Sequence, residues 1–213
     1  MPDLHLVRHG ESTWNTLGLA QGHNDLAQLT TRGLRQAADA AERFRGHRVR
    51  ALYASDLRRA MQTATAFSAV LGVPTRVDPR LRERGLGVLE GTASAAIGPS
   101  VTGLDGGRVT DPDTRPAGGE SVRDLYRRAA SFADDLADDL ADGLAASRDG
   151  GGDGDAADGD VVIVAHGGTL RVLTAYASGI PVEEMTWEPL ENARILRIPD
   201  FDTKSRMKSR GGT

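Results

Sequence analysis

Val161-Val162-Ile163-Val164-Ala165-His166-Gly167-Gly168 is a short apolar run that stops at a His-Gly step. Its length, its branched residues and its glycine boundary read as a strand buried on both faces. Leu4-His5-Leu6-Val7-Arg8-His9-Gly10, near the start of the chain, repeats the pattern and also ends at His-Gly. Val49 to Ala54, Val73 to Val77 and Arg194 to Ile198 read as further strands.

Helical periodicities lie between them. Leu34, Ala37, Ala38, Ala41 and Phe44 recur at helical spacing, with Thr30 or Thr31 to cap the helix and Gly46 to end it. Leu57, Ala60, Met61, Ala64, Phe67 and Leu71 form a second face, capped by Ser55 or Asp56 and stopped by Gly72. A third face holds Leu125, Phe132, Leu136, Leu140 and Leu144, from about Ser121; Gly143 inside it is an early stop signal. Thr169 opens another helix. Alternating strands and helices predict an α/β fold of three layers, a mainly parallel central sheet flanked by helices.

One domain over residues 1–200 is expected. It carries a cap insertion at about 84–119, rich in Gly, Pro, Ser and Thr, that could cover a pocket. A flexible acidic, Gly-rich loop is expected at about 147–160, and a disordered tail at 201–213. Ala133 to Asp160 holds ten Asp against one basic residue, Arg148, but the spacing fits no calcium loop. His5 shares a strand face with His9; without a third ligand nearby it reads as packed in the sheet, and His23 and His47 read as surface residues.

Composition narrows the function. Aromatics are 4% of the 213 residues, so the core must rest on Ala, Leu and Val. The formal net charge of -4 argues against a nucleic-acid partner, though a basic pocket for an anionic substrate remains open. There is no cysteine, hence no disulfide, thiolate nucleophile or Cys-ligated zinc. No apolar run reaches membrane-span length and no signal peptide is visible, so a cytoplasmic protein with no membrane partner, monomer or homodimer, is expected.

Ligands of parallel sheets sit at the carboxyl ends of strands. His9 and His166 both follow such ends, and Arg58 falls in the first turn of a helix after another. This set suits phosphoryl transfer, which needs a nucleophile, cations for the phosphate oxygens and an acid for the leaving group. Neutral imidazole is a competent nucleophile. Arginine grips phosphate oxygens as a fork, and a protonated second histidine can stabilise the transferring group. Arg82-Glu83-Arg84 supplies a carboxylate, with Glu90 and then Glu11 as rivals. None of these roles needs a metal or cofactor.

Leu6 to Asn15, LVRHGESTWN, resembles the signature of the histidine phosphatase superfamily, also called phosphoglycerate mutase-like. Gln21-Gly22, the Leu29-Thr30 segment, Ser55 to Ala64, Leu81-Arg82-Glu83 with Glu90-Gly91, and Val164 to Gly168 resemble its later motifs in order. The resemblance implies His9 as the phosphorylated nucleophile, with Arg8, Arg58 and His166 around the phosphate and Glu83 as proton donor. It implies substrate contacts at Asn15, Gln21, Gly22 and Gly167. His23 stands where the family often has Trp, so no substrate contact is carried over there. The expected activity is a metal-independent phosphomonoesterase acting on a small phosphorylated metabolite. A phosphoglycerate-type mutase and an inactive phosphate-binding module are the alternatives. Residues 91–118 offer only Arg108 and Arg115 for a second acidic group, which favours hydrolysis.

Overall fold

The computed structural model describes residues 2–148 and 159–201. The strands are β1 (Leu4–Arg8), β2 (Val49–Ala54), β3 (Thr75–Val77), β4 (Leu104–Asp105), β5 (Arg108–Val109), β6 (Asp160–Ala165) and β7 (Ile195–Ile198). The helices are α1 (Thr13–Thr16), α2 (Thr31–Glu42), α3 (Arg58–Leu71), α4 (Pro99–Thr102), α5 (Val122–Arg148) and α6 (Gly167–Ala177). The central sheet has the order β3-β2-β6-β1-β7, while β4 and β5 form a small hairpin of their own. Only β7 runs antiparallel to its neighbour in that sheet.

Alternation along β6 explains the layers. Val161, Ile163 and Ala165 pack on one side with Leu125, Phe132 and Leu136 of α5 and Leu170 of α6. Val162 and Val164 pack on the other with Ala40 and Ala41 of α2 and Ala60, Ala64 and Phe67 of α3. Both faces are covered, so the strand is apolar at every one of these positions. β1 pairs with β6 in parallel, Arg8 opposite Ala165. The chain leaves β1 toward α2 and leaves β6 toward α6, on opposite faces of the sheet. Such a divergence opens a crevice at the strand ends.

Several elements differ from the sequence reading. The third strand starts at Thr75, because Pro74 has no N–H to give to a ladder. Gly143 does not end α5, since neighbouring Ala and Leu outweigh the roughly 1 kcal/mol penalty of one helical glycine. Neither Ser55 nor Asp56 caps α3. Leu57 holds that place, and Asp25 from a distant loop accepts the Arg58 N–H instead. Phe201, expected in a loose tail, is buried and its N–H donates to the Pro2 carbonyl at 3.0 Å. Residues 149–158 of the expected acidic loop and 202–213 of the tail lie outside the described residues. The expected cap is short 3-10 turns, α4 and the β4–β5 hairpin.

α2 is rotated from its expected phase. Leu34 is half exposed, while Gly33, Ala37, Ala40 and Ala41 face inward. The reason is a close approach between backbones. A Cβ on Gly33 would lie 2.0 Å from the Glu11 carbonyl oxygen, and one on Gly10 would lie 2.3 Å from that of Gly33. Gly33→Ala should therefore cost about 2 kcal/mol or more by overpacking, whereas Leu34→Ala should stay within about 1 kcal/mol. Urea denaturation of the two variants reads the difference; equal costs would refute this packing.

Candidate active site

A cleft of about 430 Å³ opens at the carboxyl ends of β1 and β6. Arg8, His9, Asn15, Gln21, Gly22, Arg59, Glu83, Gly168, Arg171 and Trp187 line it, with Leu19, Leu86, Ile97 and Leu104 toward the cap. The sheet register places the two histidines. The His9 N–H donates to the Ala165 carbonyl at 3.0 Å, extending the β1–β6 ladder by one step. His166 follows Ala165 directly, and the two rings lie 5.2 Å apart between centroids.

His9 is nearly fully buried. Its Nδ1 lies 2.7 Å from the Gly10 carbonyl oxygen, which can only accept, so Nδ1 carries the proton. Nε2 is then left with its lone pair. Burial holds the ring well below the ordinary histidine range, and the Arg59 and Arg8 charges add to the effect. His9 is thus a neutral imidazole at pH 7.

His166 is fully buried, and its Nε2 lies 2.9 Å from Ser55 Oγ. Burial first, then Arg59, His9 and Arg8, hold it well below its ordinary range as well. These surroundings favour its neutral form. The surrounding charges are arginines, and an arriving dianion is the countercharge that would draw a proton onto this ring.

The arginine expected at position 58 is corrected. Arg58 is exposed, and Arg59 is the cleft arginine, with no exposure at all. Its Nη1 donates to the Asn24 carbonyl at 3.0 Å and its Nη2 to that of Gly22 at 2.9 Å. Burial pulls it down to about 10, against the attraction of Glu83, Asp25 and Glu90, so it stays charged. Arg8 Nη1 donates to the Leu190 carbonyl. Arg8 Nε, Arg59 Nε and His166 Nδ1 are buried and have no partner among the described residues. Buried polar groups nearly always find partners, and three such groups in one place suit an anion.

Glu83 stands across this cradle. Its Oε1 accepts from the Arg84 N–H at 2.8 Å and its Oε2 from the Gly168 N–H at 3.1 Å. The rival carboxylates are committed elsewhere. Glu90 Oε1 accepts from the His23 and Leu86 N–H groups, and Glu11 binds Thr30 and Arg32. His23 is not a simple surface residue, since its Nε2 donates to the Glu83 carbonyl at 2.8 Å. Gln21, Gly22 and Asn15 line the cleft as expected, and Asn15 Oδ1 is taken by Ser12 and Asn192. Gly167 does not line it and Gly168 does; Gly167 sits behind Arg171 and Arg8. The sequence reading also missed Arg171 and Trp187.

His5 belongs to another group, with Asp3 and Asp160, near the opposite end of β1 and β6. Its Nε2 bonds Asp160 at 2.9 Å, while Asp3 pairs with Arg197. These contacts join β6, β1 and β7 at the end of the sheet away from the cleft, and the cleft takes no part in them.

The histidine phosphatase superfamily (branch 1) matches the chain over residues 4–210. A probable phosphoglycerate mutase GpmB from Yersinia pestis (strain Pestoides F) is 30% identical over 206 residues, which are 93% of this chain and 85% of the relative. The structure of a mycobacterial glucosyl-3-phosphoglycerate phosphatase shares 32% identity at a TM-score of 0.75, covering 92% of this chain and 90% of that one. A phosphoserine phosphatase from Entamoeba histolytica, 22% identical, has the same fold at a TM-score of 0.71, over 92% and 90% of the two chains.

Two outcomes are expected from this geometry. Arg59→Ala should lower kcat/KM on the order of a thousandfold by removing an aimed charge, while Arg58→Ala should change it less than about threefold. Steady-state kinetics on both variants decides which arginine belongs to the site. The two histidines set the second. Their native pKa values are depressed, so below pH 6.5 the unfolded chain binds more protons than the native one. Stability should thus be fully present above pH 6.5 and fall as pH drops, by up to about 1.4 kcal/mol per pH unit for each ring. Denaturant titrations between about pH 7.5 and 5.5 read this slope. A flat profile would contradict buried neutral rings.

Proposed function

Since this chain belongs to the histidine phosphatase superfamily, we propose that it is a metal-independent phosphomonoesterase that hydrolyses a small phosphorylated metabolite through phospho-His9. The observation that carries this reading is the trio of buried polar atoms without partners among the described residues, Arg8 Nε, Arg59 Nε and His166 Nδ1, gathered around a neutral His9. A phosphate dianion would satisfy all three.

In this mechanism His9 Nε2 attacks phosphorus while the ester P–O bond breaks. Arg8, Arg59, His166 and Asn15 hold the phosphoryl oxygens. Glu83 gives its proton to the leaving alkoxide, so the alcohol departs neutral. The Glu83 carboxylate then takes a proton from water, whose oxygen attacks phosphorus. The N–P bond breaks and inorganic phosphate leaves. The arginines supply the positive charge that a metal supplies in other phosphatases. Asn15, Gln21 and Gly22 shape the entrance.

The names of the relatives favour a second reading, phosphoglycerate mutation. Hydrolysis is preferred because Arg84, the cap cation that lines the cleft, is committed to the carbonyls of Thr102, Thr114 and Glu120, and the other two cap arginines do not reach the cleft. Arg115 pairs with Asp124 at 3.2 Å, and Arg108 is exposed; neither lines the cavity.

Incubation with an aryl phosphate should release phosphate without added metal and in the presence of chelator. His9→Ala should lower the rate at least about a thousandfold, and acid-labile phosphate should be trapped on wild-type protein but not on this variant. Near-wild-type turnover by His9→Ala would end the covalent scheme. Interconversion of 2- and 3-phosphoglycerate faster than phosphate release would establish the mutase instead.

A further inference from the structure

The side-chain amide of Asn15 lines the cleft, and its orientation is set from outside it. The Ser12 N–H lies 3.0 Å from one end of this amide; it can only donate, so that end is Oδ1. Asn192, from the segment that enters β7, lies 3.1 Å from the same oxygen. The Asn192 atom involved also lies 3.2 Å from the His9 carbonyl oxygen, which can only accept, so it is the nitrogen Nδ2. Its two hydrogens thus serve the main chain of the nucleophile and the amide of Asn15. Among the described residues Asn15 Nδ2 has no partner. Asn192 does not line the cleft; it borders a separate recess with Gln36, Asp39 and Arg43. The turn that presents it is held firmly. The Ala193 N–H shares the His9 carbonyl at 3.2 Å, and the Arg194 N–H closes on the Glu191 carbonyl at 3.2 Å. Ala193 itself has φ of +57°, the left-handed region where a residue other than glycine is uncommon. Such a conformation persists where its surroundings over-determine it, and it clusters at functional sites.

We propose that Asn192 is a positioning residue for phosphoryl transfer, which fixes the end of the Asn15 amide that faces the phosphate. This rests on the phosphatase reading of the cleft, in which Asn15 holds a phosphoryl oxygen. The two ends of an amide have nearly the same shape and opposite polarity. Turned one way, Asn15 offers N–H hydrogens to the anion. Turned the other way, it aims a carbonyl oxygen at oxygens that are already negative. Ser12 alone holds the choice weakly. Its Oγ has a single hydrogen, with Asn15 Oδ1 and Gln21 Oε1 both at 3.0 Å. Asn192 supplies the second dedicated donor to Asn15 Oδ1, so both lone pairs of that oxygen are engaged and the N–H end is left for the cleft. A donor aimed before the dianion arrives need not reorganise during the reaction. The same nitrogen holds the His9 carbonyl, so the nucleophile and the phosphate donor are referred to one point, and their spacing does not depend on the cap.

A double-mutant cycle with an aryl phosphate tests the inference. Asn192→Ala should lower kcat about tenfold and change KM less than about threefold. Asn192→Asp should lower kcat further, because its carboxylate repels Asn15 Oδ1 and turns the amide round. In an Asn15→Ala background either substitution should cost less than about threefold. Wild-type kcat in Asn192→Asp overturns the proposal. So does a loss that is undiminished in the Asn15→Ala background in protein with a native amide spectrum, which would make Asn192 a brace of the His9 main chain alone. Nuclear magnetic resonance supplies a readout that poor folding cannot imitate. In 15N-labelled protein the Asn15 side-chain amide, identified by its loss in Asn15→Ala, should shift on titration with inorganic phosphate. In Asn192→Asp it should stay nearly unmoved while the backbone amides still report a folded chain. An equal response in wild type and Asn192→Asp, or no response in wild type, overturns the proposal whatever the kinetics. If wild type turns over no phosphate ester, the hydrolase reading fails by itself, and the amide response to inorganic phosphate then decides the role of Asn192 separately.

Discussion

The parallel pairing of β1 with β6 is the constraint on which the rest of the site depends. It brings two strands from opposite ends of the chain to a common edge, with Arg8 opposite Ala165 and the His9 N–H on the Ala165 carbonyl. A slip of one residue would turn Val7 and Ile163 toward the wrong layers, so the buried faces on both sides enforce the register. The catalytic spacing of two rings is thereby inherited from core packing. It costs no dedicated contact. The chain then diverges to α2 and α6 on opposite faces, and the crevice between those paths is where an anion can enter.

What fills that crevice is energetically awkward. Arg8 and Arg59 are charges removed from water with no salt-bridging carboxylate among the described residues, each held by main-chain carbonyls. Burying charge costs free energy, and here some of the cost appears as the lowered proton affinity of His9, His166 and Arg59. The same arrangement is useful for phosphoryl transfer. Cations already oriented and partly desolvated need not reorganise when a dianion arrives. The depressed His9 is also kept as a nucleophile. The stability cost and the chemical competence have one physical origin.

The sequence displays the parts of the site that sit at strand ends. His9, His166 and Arg8 were legible because a buried strand shows itself by apolar composition, and its last residues follow by simple counting. Glu83 lies beyond the 3-10 turn after β3, and the resemblance of Leu81-Arg82-Glu83 picks it over Glu90 and Glu11. Arg59 was not separated from Arg58, although helix phase contained the signal. The inward stripe of α3 includes Ala60, Thr63, Ala64 and Phe67, and Arg59 lies one turn before Thr63 on the same side. Placing the cap at Ser55 or Asp56 obscured that phase. Those two side chains serve His166 and Arg82 instead. Leu34 misled for the opposite reason: an apolar residue was exposed because glycine was needed where backbones touch. Arg171 and Trp187 meet through a segment with no regular period, so no local pattern could reveal their contact.

The acid and the cap are joined more closely than their sequence suggests. Arg128 of α5 donates to the carbonyls of Arg80, Arg82 and Glu83, and His23 adds a second bond to that of Glu83. Next to it, buried Arg84 donates to the carbonyls of Thr102, Thr114 and Glu120. One guanidinium therefore gathers three points of the excursion beside the acid. Every acceptor in this clamp is a backbone oxygen, which any residue type provides. Side chains between the clamped points can change shape and polarity without moving Glu83, provided that the loops still return to those three carbonyls. The cap can thus diverge in the alcohol it admits while the chemistry beneath it stays in place, which is how one phosphate cradle can be adapted to different esters.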